Sequence, residues 1–397
     1  MKTSQSKPVW VAWLLVLSLF GALFVAGCGS SSDDSSSDEV TSIGKTEGEL
    51  NLIAWAGYAE DGSTDPEVDW VTDFTKQTGC KVNTKTASTS DEMVQLMRTG
   101  QYDGVSASGD ASVRLIEGGD VEAIDMSILS NYKDVNPSLK DQPYNTVDGK
   151  NYGMPHGWGA NVLLYNTDEV KPTPTSWSSV FDEKEAAKYS GKITAPDNPI
   201  YIADAAVYLK THQPDLGIDN PYELDEDQFN AAVDLLKAQN KNIGEYWPDA
   251  TKNISSYTNG DSVIGSSWQY QTSALEAAGE PVSSELPSEG TTGWSDTWML
   301  STEASNPNCM LEWMNWMASP ETQAQVAGWF GEAPANLKAC GIDKASQANC
   351  DTYHAEDTAY YDKIAFWQTP VSDCGDDRGT ECKTYDDWVQ AWTEIKG

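Results

Sequence analysis

Apolar residues recur at two spacings along most of this chain, and the change from one spacing to the other predicts its layers. Residues 49–55, Glu-Leu-Asn-Leu-Ile-Ala-Trp, alternate well enough for a strand, and Gly57 turns the chain after it. Asp65-Pro66-Glu67 then supplies a cap, a proline and an acid suited to a helix start, with Val68, Val71 and Phe74 as the apolar face and Gly79 as the stop. Residues 80–86 read as a second strand, followed by a helix carrying Met93, Leu96 and Met97 that ends at Gly100. Strand, helix, strand, helix implies an α/β layer.

Gly153-Met154-Pro155 punctuates the pattern, and residues 161–165, Asn-Val-Leu-Leu-Tyr, begin a second series as a strand. Phe229, Ala232, Val233 and Leu236 mark one helical face, opened by Asp225-Glu226-Asp227. That acidic run lacks the central glycine of a calcium loop. Met310, Trp313, Met314 and Met317 form a stripe at helical spacing, read as core. A last helix starts near Thr384 and is expected to bury Trp388, Val389, Trp392 and Ile395.

The N-terminus follows neither spacing. Lys2 and Lys7 precede an almost unbroken apolar run over residues 9–26, ending in Val25-Ala26-Gly27-Cys28, the pattern at which a bacterial lipoprotein is cleaved and lipid attached to the cysteine sulfur. Residues 1–27 are therefore expected to be a signal peptide, Cys28 the lipidation site, and the Ser/Asp-rich residues 28–48 a tether. This places the protein in the periplasm or on the outer face of the cell membrane, anchored through its lipid. The remaining 350 or so residues suffice for two lobes.

Charge narrows the partners. The net charge is −36, and losing Lys2 and Lys7 takes it to near −38, a surface that repels nucleic acid and attracts cationic solutes. Besides Cys28 the chain has Cys80, Cys309, Cys340, Cys350, Cys374 and Cys382, an even set for an oxidising compartment. Cys340 with Cys350 and Cys374 with Cys382 would close short loops, leaving Cys80 for Cys309.

Sixteen tryptophans exceed the needs of a core this size. In Trp294-Ser295-Asp296, an extended segment puts the indole and the carboxylate on one side, an aromatic face and a counter-charge for one ammonium. Catalytic patterns are poor: residues 104–108, Gly-Val-Ser-Ala-Ser, lack the closing glycine of a nucleophile elbow, and His156, His212 and His354 have no partner spacing. No enzyme activity, cofactor or metal is expected. A secreted acidic hydrolase is the outlying alternative.

From Leu50 onward the pieces resemble, in order, the bacterial spermidine/putrescine-binding proteins, polyamine receptors of ABC importers. The landmarks are Trp55 with Tyr58, Tyr102-Asp103 before the strand ending at Ser108, Gly149-Lys150-Asn151-Tyr152-Gly153-Met154-Pro155 before Trp158-Gly159, Trp268, Trp294-Ser295-Asp296, Ser319-Pro320-Glu321, Pro334-Ala335-Asn336 and Trp367-Gln368. The resemblance implies an α/β, two-lobed periplasmic-binding-protein fold of type II with the ligand cleft between lobes. Lobe one would hold residues 49–158 and 297–342, lobe two residues 159–296 and 343–397. It implies a monomer that hands a polyamine to a permease. Trp55, Tyr58, Trp268 and Trp294 would surround the aliphatic chain, Asp296 would hold one ammonium, and Ser108 and Gln368 would be polar contacts. Gly57 and Tyr201, the latter beyond Asn198, stand where relatives carry acids, whereas Asp110 and Glu332 stand where relatives carry aromatic residues near the ligand. Other solutes that such a fold could take are a quaternary amine, an opine-like amino acid derivative or a sugar.

Overall fold

The computed structural model describes residues 39–397. The expected signal segment and Cys28 lie outside the described residues. Within them, the end of the expected tether belongs to the folded body: Val40 exchanges backbone bonds with Ala123 and Asp125 at 2.8 and 2.9 Å. Glu47 accepts the backbone N–H of Asn308 and Cys309 at the N-terminus of helix Pro307–Met317, a favourable place for an anion.

Two long strands, Met154–Asn166 and Thr291–Leu300, run antiparallel through the middle of one mixed sheet. On one side the order continues through Gly104–Ser108, Glu49–Ala54 and Lys81–Thr86; on the other through Ile264–Trp268, Ile193–Pro196 and Ile243–Trp247. Glu49–Ala54 is parallel to both of its neighbours, as a strand-helix-strand order requires. Every residue of Thr291–Leu300 is buried, so both of its faces carry core. The punctuation at Gly153-Met154-Pro155 is therefore a strand start, and the chain runs straight on to Asn166.

Side chains gather into separate cores on the two sides. Leu52, Phe74, Trp298, Trp313 and Met314 pack in one, together with Cys350, Tyr353 and Phe366 from late in the chain. Leu163, Ile193, Leu236, Trp294, Trp367 and Trp388 pack in another. The stripe of Met310, Trp313, Met314 and Met317 is fully buried. Helix Glu226–Asn240 starts at Asp225, which forms a capping box with Gln228. Two expectations need correction. The first helix begins at Val71, not at Pro66, because Asp65 spends its carboxylate on the turn N–H of Glu67. In the last helix, Tyr385–Lys396, Val389 is 37% exposed, since it lies off the face shared by Trp388, Trp392 and Ile395.

The three disulfides join Cys80 to Cys309, Cys340 to Cys350 and Cys374 to Cys382, the pairing the loop argument favours.

Candidate functional site

Where the two long strands meet strand Gly104–Ser108, register brings three chemistries together: Asp296 lies opposite Ser108 on one side and Gly157 on the other. Ser108 ends its strand and donates from Oγ to Asp296 Oδ1 at 2.5 Å. Gly109 must follow, because a Cβ there would lie 1.9 Å from the Trp367 carbonyl. Asp110 sits in the first turn of helix Gly109–Glu117, fully buried, and accepts from Ser90 Oγ at 2.9 Å while its Oδ2 has no partner.

Tyr58 closes the group. Gly57, at φ 94°, lets the chain turn tightly after the first strand and seat Tyr58 between His156 and Phe330, with ring centroids 4.3 Å from each. The Tyr58 hydroxyl lies 2.8 Å from Asp296 Oδ2 and 2.8 Å from Glu332 Oε2. Glu332 follows helix Pro320–Phe330 and packs on Gly157, where a Cβ would come within 2.2 Å of its carboxyl carbon. His156 Nε2 stands 3.6 Å from Glu332 Oε1, both buried.

Burial dominates the electrostatics. It raises Asp296 to about 7 against the pull of its bonds from Ser108 and Tyr58, with the charge of Asp110 adding to the rise. It raises Asp110 to about 6 although Ser90 and Arg114 oppose. Glu332 is pushed well above the carboxylate range by burial and by Asp296, and His156 is driven down to about 3 by burial, so its ring is neutral. Among the described residues, the basic groups beside these acids are otherwise committed. Arg114 binds Asp91 at 2.6 Å and covers the Tyr385 ring at 4.3 Å. The cluster is a set of buried acids that their low-dielectric surroundings push towards the neutral form, where an approaching cation would favour the carboxylates.

Trp294 is nearly buried and lies over Gly159, where a Cβ would be 2.8 Å from the indole ring; its edge meets Phe330 at 6.0 Å. Trp55 is half-buried and its indole N–H has no acceptor. Trp268 precedes helix Gln269–Ala277 and is edge-on to Trp247 at 5.0 Å. Gln368 accepts from Asn220 at 3.3 Å. Asn198 caps the short turn after Pro196, accepting the Ile200 N–H at 3.0 Å. Tyr201 is not brought to the acids: it is buried in the second core, edge-on to Trp392, and its hydroxyl accepts from Gln239 at 3.1 Å.

Sequence reasoning missed His156 and Asp204. Asp204 accepts from Thr292 Oγ1 at 2.9 Å and Asn161 Nδ2 at 3.4 Å, bridging both long strands, and burial raises it to about 7. Its signal was available, a lone acid in the apolar stretch Ile202–Leu209.

These features agree with what the chain is similar to. It is 26% identical over 355 residues to the spermidine/putrescine-binding periplasmic protein of Escherichia coli K12, covering 86% of this chain and 95% of the relative. The crystal structure of the spermidine/putrescine ABC transporter substrate-binding protein PotD from Streptococcus pneumoniae matches with a TM-score of 0.67 at 18% identity, over 88% of this chain and 99% of that one. The binding protein MotA of Agrobacterium tumefaciens B6, solved with glucopine, matches with a TM-score of 0.67 at 15% identity, over 88% and 100%. The fold is thus the α/β, two-lobed one of periplasmic binding proteins. With residues 69–351 matching its pattern, the chain belongs to the family of bacterial extracellular solute-binding proteins.

Proposed function

We propose that this protein is the extracytoplasmic binding component of an ABC importer and that its solute is a small organic cation of the polyamine class. One observation carries the reading: Asp110, Asp296 and Glu332 are buried close together, and among the described residues none of them is in an ion pair with a lysine or arginine. A solute ammonium between Trp294 and the Asp296 carboxylate would supply the missing charge, and each aromatic face would add about 0.5 to 2 kcal/mol. The curated relatives are named for the same ligand class.

In this reading the two cores are the two lobes, joined by strands Met154–Asn166 and Thr291–Leu300 and by the chain near Phe366 and Trp367. With Cys350, Tyr353 and Phe366 packed in the first core, this reading puts the last crossing after Phe366. Lobe opening admits the solute, and closure buries it in a form a permease can read. The lipid on Cys28 would hold the monomeric receptor at the membrane.

A second reading is favoured by donors. The indole N–H groups of Trp55, Trp294 and Trp367 are buried without hydrogen-bond partners. A solute with a carboxylate or hydroxyls beside its ammonium, such as an opine-like amino acid derivative, would satisfy them.

A thermal-shift screen of protein lacking residues 1–28 separates these. Putrescine, spermidine, glycine betaine, an opine, amino acids and sugars are compared at saturating concentration, where a ligand at a hundred times its Kd adds about 2.7 kcal/mol. A shift confined to polyamines supports the proposal, a shift only with opines supports the second reading, and a response to neutral sugars alone removes both.

A further inference from the structure

The hydrogens around Tyr58 can be counted. Its hydroxyl has one, yet it lies 2.8 Å from a carboxyl oxygen on each side, and two bare carboxylates cannot share one donor at that distance without strong repulsion. One proton therefore belongs to the Asp296–Tyr58–Glu332 chain in addition to the tyrosine's own. Asp296 already accepts from Ser108, so Tyr58 completes its coordination as an anion. Glu332 has no comparable donor. The Asn336 N–H donates to Gln323 Oε1 at 3.2 Å, which fixes that amide, and Gln323 Nε2 then donates to His156 Nδ1 at 3.2 Å. The His156 hydrogen must sit on Nε2, facing Glu332 Oε1 from 3.6 Å, too far for a hydrogen bond. The extra proton accordingly sits on Glu332 Oε2 and is donated to Tyr58 Oη.

The other groups facing Glu332 do not replace it. Tyr353, behind it, feels its charge but is itself neutral; Asp296 and, beyond it, Asp110 are acids. Burial and Asp296 act in the same direction on Glu332.

We propose that Glu332 is the residue by which the site tells solutes apart by charge: empty, it is a neutral acid, and it becomes a carboxylate only opposite a second cationic group, releasing its proton to solvent. A monocation engages Asp296 alone and displaces no proton, whereas a dication gains a second counter-charge by breaking the Glu332 O–H bond. Preference for dications over monocations should then grow as pH rises. This rests on the cation reading above.

The test is calorimetric titration of the wild-type mature protein with putrescine and with butylamine, each in two buffers of different ionisation enthalpy at about pH 8. We expect about one proton released per putrescine and none per butylamine. Glu332→Gln, which keeps the shape of the neutral acid, should lose most of the preference for putrescine over butylamine. Putrescine binding without proton release overturns this inference and leaves the cation reading standing. Failure of every amine to bind overturns both. The wild-type proton count does not depend on whether the variant folds.

Discussion

At Asp296 opposing effects meet and burial prevails: burial and the charge of Asp110 favour the neutral acid, while hydrogen bonds from Ser108 and Tyr58 favour the carboxylate. A cation placed against it would decide the balance, so its removal should be felt in binding far more than in folding. Asp296→Asn is expected to weaken a diamine by at least about a hundredfold, ~3 kcal/mol, with an unchanged circular dichroism spectrum. Unchanged affinity in calorimetry would discard the site. The same acids give the empty protein a pH signature. Asp110, Asp204 and Asp296 have folded values of about 6, 7 and 7, above the ordinary 3.8, so the folded state binds more protons than the unfolded one between those values. Their contribution to stability is fully present below about pH 4 and is lost as pH rises through about 6 to 7. Ligand-free melting temperature should therefore fall across that window, apart from other titrations, and Asp204→Asn should flatten part of the fall. A wild-type profile identical to that of the variant would show that Asp204 titrates normally.

Elements determine which of these residues can meet. The second long strand presents Trp294 and Asp296 on one side because side chains alternate, and the first long strand makes room for them with Gly159 and Gly157 in register. Gly159→Ala would push a Cβ to 2.8 Å from the Trp294 ring. We expect a loss of about 1–3 kcal/mol in denaturant unfolding and weaker solute binding through the displaced indole. Stability equal to wild type would mean that the strands separate enough to absorb the methyl. This geometry also explains what was legible from sequence. Period-two spacing alone pairs Trp294 with Asp296, and the acidic run Asp225-Glu226-Asp227 marks where its helix opens, with Asp225 as the observed cap. Loop length among the cysteines points to the observed pairs. Asp65-Pro66 misled because turn and helix-start chemistry use the same residue types, and here the Asp65 carboxylate is taken by the turn N–H of Glu67. The meeting of Tyr58, His156 and Glu332 was not legible as a hydrogen-bond chain, since these residues are separated by 98 or more positions and meet only through tertiary packing. Tyr201 shows the converse: a position named by resemblance turned into the core once helix Ile202–His212 packed its apolar side inward.

For the whole molecule, the cluster's acids and the surface acids act over different distances, and salt separates them. Sixty-one acidic residues against 25 basic ones give a net charge of −36 and a field that draws cations in from afar. That field is screened as the Debye length shrinks from about 30 Å at 0.01 M salt to about 8 Å at 0.15 M. Pairing of the buried cluster with a solute ammonium would be a contact away from bulk water and would be screened much less. If the cation reading holds, stopped-flow tryptophan fluorescence should show the association rate falling severalfold between those two salt concentrations, with the dissociation rate changing by less than about twofold. The signal is available because Trp294 shares a strand face with Asp296, and the affinity change would then come almost wholly from capture. An association rate flat in salt would make the acidic surface a matter of solubility, and leave selection of the cation to the buried carboxylates alone.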